Sequence, residues 1–165
     1  MWKEFLRTSL HDPVIWFAFL AAIVLVFGLR AQVRRRRLIE KFAMARGYTF
    51  QRVLESRAFR FSDADFFRRL DRATNAVSGN LDDAQFTLFD HEAHRGKYSS
   101  FTQTIVAFTI APSAAFRPTM LGSYGFQIEK TASHIFLWKE KWRVPVDGLD
   151  PFLHSALNVF QQAIR

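Results

Sequence analysis

The residues best suited to chemistry in this chain form the short run Asp90-His91-Glu92-Ala93-His94. Imidazole nitrogens and carboxylate oxygens are good metal ligands. A zinc-protease helix, however, needs its two histidines four residues apart, and here they are three apart in a segment with strand character. On a strand, Asp90, Glu92 and the second histidine share one face, and His91 lies on the other. We expect a solvated sheet edge beside a hairpin turn and predict no metal site.

Other catalytic signatures are missing from the sequence. Ser123 lies in Gly122-Ser-Tyr-Gly125, which lacks the Gly-x-Ser-x-Gly spacing of a nucleophile elbow. His134 and His154 have no evident triad partners, so we expect two surface histidines. The absence of cysteine excludes disulfides, cysteine-ligated metals and thiol catalysis, and no glycine-rich phosphate loop is present. The sequence therefore predicts a protein that is not an enzyme and holds no cofactor.

The charge of the chain, +8 overall, is concentrated in one segment. Residues 30–46 contain seven basic side chains and one acidic one, whereas residues 47–165 contain fourteen basic and twelve acidic ones. A nucleic-acid-binding segment would add aromatic stacking platforms, which are not interleaved here, so we expect no nucleic-acid partner. We assign the cations to membrane topology and the lipid surface; they are Arg30, Arg34, Arg35, Arg36, Arg37 and Lys41.

An apolar run precedes this basic segment. Residues 14–29 contain no charged or polar side chain, and as a helix they would be about 24 Å long, close to the roughly 30 Å of a hydrocarbon core. The run ends in arginines rather than in the small residues of a signal-peptide cleavage site, which is typical of a stop-transfer sequence. Asp12-Pro13 is a helix-start signal, with Asp12 as the expected N-cap. The sequence therefore predicts a single membrane-spanning helix.

Three segments follow from this prediction. Residues 1–12 form a short extracytoplasmic N-terminus, residues 13–37 the transmembrane helix with its polybasic stop-transfer segment, and residues 38–165 a cytoplasmic domain. The orientation rests on the bias of basic residues toward the cytoplasm. We expect a single-pass membrane protein whose domain lies in the cytoplasm.

The domain is predicted to be α+β, an antiparallel β-meander of five to seven strands with a C-terminal helix packed on the sheet. Apolar residues on both faces of the strand at 102–110 indicate a central strand. The C-terminal helix starts at Asp150-Pro151, with Asp150 as its cap, and carries the apolar stripe Leu153, Ala156, Leu157, Phe160 and Ile164. The other predicted helices run from residue 38 to a stop at Gly47 and over 62–72, the latter begun by the capping box Ser62-Asp-Ala-Asp65. The other predicted strands are one at 48–51, a hairpin of 75–81 with 85–92 across Asp82-Asp83-Ala84, a hairpin of 126–130 with 134–138, and an edge strand at 142–146.

Four short motifs resemble a known group of proteins. They are Gly47-Tyr-Thr-Phe50, Asn75-Ala-Val-Ser-Gly79, Leu88-Phe-Asp90 and Thr102-Gln-Thr-Ile-Val106. Together they resemble an uncharacterised family of bacterial single-pass membrane-anchored proteins with a hairpin-rich C-terminal domain. The resemblance covers residues 13–165 and implies the order of apolar span, arginine-rich run and domain. It also implies a bacterial inner membrane as the location, and it implies no activity.

We expect the domain to act by binding rather than by catalysis. Arg95, Lys97 and Tyr98 lie in the expected exposed turn before the central strand, and arginine and tyrosine are favoured at protein interfaces. The expected partners are the lipid bilayer and another membrane or cytoplasmic protein. The alternative is a small-molecule or lipid-binding sensor. A pocket beneath residues 150–165 lined by converging polar groups would favour the sensor, and an exposed apolar patch would favour docking.

Overall fold

The computed structural model describes residues 13–54, 72–94, 100–116, 125–140 and 142–164. The chain divides into two compact units, Met1–Arg37 and Leu38–Arg165. The elements in chain order are helix α1 (Pro13–Ala45), strands β1 (Thr49–Leu54), β2 (Arg72–Leu81), β3 (Ala84–His94), β4 (Ser100–Thr109), β5 (Gln127–Lys130) and β6 (His134–Trp138), a 3-10 turn (Val146–Gly148) and helix α2 (Leu149–Ala163).

Helix α1 is described from Pro13 onward, and the predicted N-cap Asp12 lies outside the described residues. The helix ends just before Gly47, the predicted stop. Gly47 has a φ of 70°, the left-handed conformation that glycine adopts without strain. The Tyr48 N–H donates to the Ala43 carbonyl at 2.8 Å and the Gly47 N–H to the Met44 carbonyl at 3.2 Å, which is a Schellman motif. The helix predicted from residue 38 is therefore confirmed as the last part of α1.

The six strands form one antiparallel sheet in the order β1-β2-β3-β4-β6-β5. The strands follow one another along the chain as far as β4, and the last hairpin then places its second strand, β6, beside β4. The predicted α+β class and strand number are confirmed. Two residues, Asp82 and Asp83, join strands β2 and β3. Both adopt positive φ, which is the conformation of a two-residue type I′ turn and allows so short a connection.

One face of the sheet is covered by α2. The apolar side of this helix is buried, and the Phe160 ring stacks on the Phe108 ring of β4 with centroids 4.5 Å apart. Ile39 and Ala43, from the part of α1 in the second unit, belong to the same core. The predicted packing of the C-terminal helix is confirmed. The buried side chains of α2 are Leu149, Phe152, Leu153, Ala156, Leu157, Val159, Phe160 and Ala163, whereas Ile164 is half-buried.

The opposite face of the sheet is buried as well. In β4, Val106 and Phe108 point to the α2 side, and Ile105 and Ala107 point to a second apolar cluster. The central position predicted for this strand is therefore confirmed. The second cluster consists of Leu54, Ala73, Ala76, Phe89, Ile105, Ala107 and Phe136.

Two predicted element boundaries are wrong. Residues 142–145 form no strand: the Val144 N–H donates to the Thr104 side chain rather than to a backbone carbonyl, and the segment leads into the 3-10 turn. Asp150 is not the helix cap, because the 3-10 turn starts the helix earlier and Gly148 takes the cap position. The helix predicted at 62–72 lies outside the described residues, including Asp63 and Asp65, except for Arg72, which starts β2.

Candidate functional sites

The first candidate site is the apolar stretch of α1. Its most apolar 18-residue window has a mean hydropathy of 2.4 and is 0% buried against the rest of the chain. Phe17 is 74% exposed and Val24 is 70% exposed. Such a contiguous apolar surface is unfavourable in water and is typical of a membrane or protein contact. Among the described helices, α1 is the one long and apolar enough to cross a membrane.

The second candidate site is the arginine-rich segment that follows within the same helix. Arg30, Arg34 and Arg37 are exposed, whereas Arg35 and Arg36 are half-buried. The spacing of four and then three residues places the exposed arginines on one side of the helix. Within the described part of the chain, none of these three forms an ion pair or a side-chain hydrogen bond. Lys41, also exposed, follows in the second unit. Arg30, Arg34 and Arg37 therefore present guanidinium groups that can meet an anion.

The third candidate site is a buried polar cluster around Asp90, which is only 1% exposed. Its carboxylate accepts hydrogen bonds from Thr104 Oγ1 at 3.0 Å, from Asn75 Nδ2 at 3.1 Å and from Arg143 Nη2 at 3.1 Å. Thr104 lies directly across from Asp90 in β4, and Asn75 lies at a register shift in β2. Asn75 has a φ of 55°, which asparagine tolerates better than most residues and which is compatible with a β-bulge.

The same cluster fastens the irregular segment after β6 to the sheet. The Thr104 N–H donates to the Trp142 carbonyl at 3.2 Å, and the Val144 N–H donates to Thr104 Oγ1 at 3.0 Å. These bonds hold Arg143 where its guanidinium reaches Asp90. Because Asp90 is buried and already accepts three hydrogen bonds, one of them from a cation, it is poorly placed to take a proton from a substrate. The cluster is suited to fixing structure.

The solvated edge predicted for Asp90 and His91 is wrong. His91 is 2% exposed and faces the side of the sheet opposite to Asp90, as the alternation predicted, while Glu92 is exposed. The run Asp90–His94 is part of a strand paired on both sides, and this pairing buries its first two side chains. Among the described residues, no group of three histidines and acidic residues is arranged to hold a metal ion.

Two other histidines discussed from the sequence, His134 and His154, are among the described residues. His134 is half-buried rather than on the surface; its Nδ1 lies 2.8 Å from Ser133 Oγ, and burial lowers the pKa of its imidazole from 6.5. His154 is exposed, as predicted, with Nδ1 2.9 Å from the Asp150 carbonyl. Ser123 and the turn residues Arg95, Lys97 and Tyr98 lie outside the described residues.

Reasoning from the sequence missed the Asp90 cluster. Its members come from β2, β3, β4 and the segment after β6, and Arg143 is 53 residues from Asp90. A run of polar types inside β3 was the one available signal, and the same run is equally typical of an exposed edge.

Comparisons with known proteins add no match. No family of known sequence pattern, no curated protein and no solved structure is similar to this chain at a significant level. The resemblance to the uncharacterised family therefore stays a prediction.

Proposed function

We propose that this chain is a single-pass protein of a bacterial inner membrane whose domain acts at the cytoplasmic face as a non-enzymatic accessory module. The observation that carries the proposal is the apolar stretch of α1, which is unburied over a whole membrane-length window and is followed at once by arginines. A hydrocarbon core is the environment that such a surface fits, because it places apolar side chains out of water on all sides of the helix.

The orientation follows from the charges at the two ends of this stretch. Residues 1–12 contain two basic and two acidic side chains, whereas residues 30–46 carry the large excess of basic ones. Basic residues close to a membrane span favour the cytoplasmic side. The domain therefore follows the cytoplasmic end of the span, and the N-terminus lies across the membrane.

The interior of the domain supports protein binding over ligand sensing. Among the described residues, the α2 side chains facing the sheet are apolar and meet apolar and aromatic side chains such as Phe108. The polar groups around Asp90 are used within the domain itself. A tethered domain of this kind acts by raising its own concentration next to a membrane partner.

The membrane part of the proposal is tested by fractionation and topology reporters on the full chain. We expect the protein to stay in the membrane pellet after alkaline carbonate extraction, and a C-terminal fusion to report the cytoplasm. A reporter fused at the N-terminus should indicate the opposite side. A chain released by carbonate, or a C-terminus outside the cytoplasm, would contradict the proposal.

The accessory role is tested by crosslinking in cells, with a C-terminally tagged full-length chain and a control that lacks residues 47–165. We expect one protein to be recovered near stoichiometrically with the full chain and lost with the control, and tagging that protein should recover this chain in return. Recovery of the same proteins with both versions would show that the anchor alone explains them. A purified full chain that turned over a substrate would overturn the non-enzymatic part.

A further inference from the structure

We propose that Arg30, Arg34 and Arg37 form a binding surface for the anionic headgroups of phospholipids; we call these residues the headgroup stripe. This inference rests on the proposed function, since it needs α1 to span a bilayer. It narrows the lipid surface expected for the whole basic segment to three of its arginines and to one chemical class of lipid. The relevant chemistry is the pairing of guanidinium groups with lipid phosphates.

The helical spacing separates these three arginines from the other two. At 3.6 residues per turn, Arg30, Arg34 and Arg37 fall within about 60° of arc, whereas Arg35 and Arg36 project well away from that arc. Exposure follows the same division, because the stripe residues are exposed and the other two are half-buried. Five arginines of one short segment therefore differ in their access to a ligand.

The position along the helix fits a headgroup layer. Arg30 directly follows Leu29, the last residue of the apolar run. Residues 30 to 37 rise by about 10 Å along the helix axis, and a headgroup region is about 5 to 8 Å thick on each side of the core. Long arginine side chains can extend along the helix toward the phosphates. The stripe would thus lie at the depth where lipid phosphates are found.

The guanidinium groups of the headgroup stripe are available for a ligand. Within the described residues, none of its members is engaged by a carboxylate or any other hydrogen-bond acceptor. Arginine can pair with a phosphate through two parallel hydrogen bonds, which a lysine cannot do. A nucleic acid offers the same phosphates but would need to approach a helix segment that the bilayer surface already borders, and the segment has no aromatic residues for base stacking.

The test uses the full chain in lipid nanodiscs that contain phosphatidylcholine and a minor fraction of spin-labelled phosphatidylglycerol. Electron paramagnetic resonance measures the preference for labelled phosphatidylglycerol over labelled phosphatidylcholine at the protein surface. Two double variants remove the same charge: Arg34→Gln with Arg37→Gln in the stripe, and Arg35→Gln with Arg36→Gln outside it. A third variant, Arg34→Lys with Arg37→Lys, keeps the charge.

We expect the wild-type chain to prefer phosphatidylglycerol and to lose much of that preference in high salt. The stripe Gln variant should lose up to about fivefold per arginine removed. The Arg35/Arg36 variant should keep most of the preference, and the Lys variant should fall between it and the stripe Gln variant. Equal losses in the two Gln variants would overturn the proposal, because charge alone would then explain them. Displacement of the labelled lipid by a short duplex DNA would also overturn it.

Failure of the proposed function gives a different result. If the full chain does not insert into nanodiscs, both the anchor and the headgroup stripe are wrong. If it inserts, and the reporter fusions in cells show the expected topology, but it shows no preference for phosphatidylglycerol, the anchor stands and the headgroup stripe is wrong.

Discussion

The two helices of this chain are both rich in apolar residues, but they use them in opposite ways. In α1, residues 14–29 are apolar without interruption and almost all of their side chains are exposed. In α2, apolar residues recur at three- and four-residue spacing, and this side of the helix is buried on the sheet while residues such as His154 and Asn158 remain exposed. A high content of apolar residues alone therefore does not tell which of them will be buried.

The spacing of the apolar residues along the chain separates the two helices. A helix that is apolar on one side needs one apolar surface to cover it, and the sheet provides that surface for α2. A helix that is apolar all round needs an apolar environment on every side, and the described part of the chain provides none for residues 14–29. The two helices therefore predict different responses to the same mutations.

The largest expected effect comes from placing a pair of aspartates, four residues apart, in each helix. Leu153→Asp with Leu157→Asp puts two carboxylates into the core between α2 and the sheet, and we expect the domain to unfold, with a cost above about 4 kcal/mol. Leu20→Asp with Val24→Asp should leave the domain folded but reduce membrane insertion, at about 2.5 to 3.5 kcal/mol per residue. Limited proteolysis reports the first effect, and carbonate extraction reports the second.

A matched control places the same residues on the exposed side of α2. His154→Asp with Asn158→Asp should affect neither proteolysis nor extraction. If the Leu20/Val24 variant unfolded the domain and stayed in the membrane, the distinction between the two helices would be wrong.

The next effect compares a buried ion pair with an exposed one. Asp90→Asn removes the anion that faces Arg143 in a buried cluster, and we expect a loss of about 2 kcal/mol in the free energy of unfolding, below the range for fully buried pairs because Arg143 is 34% exposed. Asp150→Asn breaks the pair with Arg46, whose atoms are 2.7 Å apart but solvent-exposed, and should cost less than about 1 kcal/mol. Urea unfolding of the full chain in mild detergent measures both. Equal losses would show that Asp90 is no more important than a surface residue.

A smaller effect is expected where the end of α1 meets the sheet. A Cβ added at Gly79 would collide with the Tyr48 ring. That ring packs edge-on against Phe86, with centroids 5.0 Å apart, and lies 6.2 Å from the Phe42 ring of α1, so it has little room to move. We expect Gly79→Ala to lower the free energy of unfolding by about 1 kcal/mol. Gly79→Ala combined with Tyr48→Ala should cost less than the sum of the two single changes, and simple additivity would contradict this contact.

The sequence was sufficient for features that local patterns determine. The hairpin turn at Asp82-Asp83, the stop at Gly47 and the two-sided burial of β4 each follow from residues close together in the chain. The Asp90 cluster does not, because Asn75, Thr104 and Arg143 meet it only after four separate segments have been brought together. The position of β6 beside β4 is likewise a matter of tertiary pairing. The polar run at Asp90 was misread because a strand paired on both sides and an exposed edge can carry the same residue types.

The last expected effect is a pH dependence at His134, the half-buried histidine at the start of β6. Burial lowers the pKa of the His134 imidazole in the folded domain below its ordinary value of 6.5. Below that value the unfolded chain takes up a proton that the folded domain does not, so the free energy of unfolding falls as pH decreases from 6.5 to the lowered pKa and then levels off. We expect His134→Gln to reduce this loss between about pH 7.5 and about pH 5.5. Urea midpoints of the full chain at the two pH values measure the difference, and a wild-type midpoint that rose on acidification while that of His134→Gln did not would contradict the sign derived from burial.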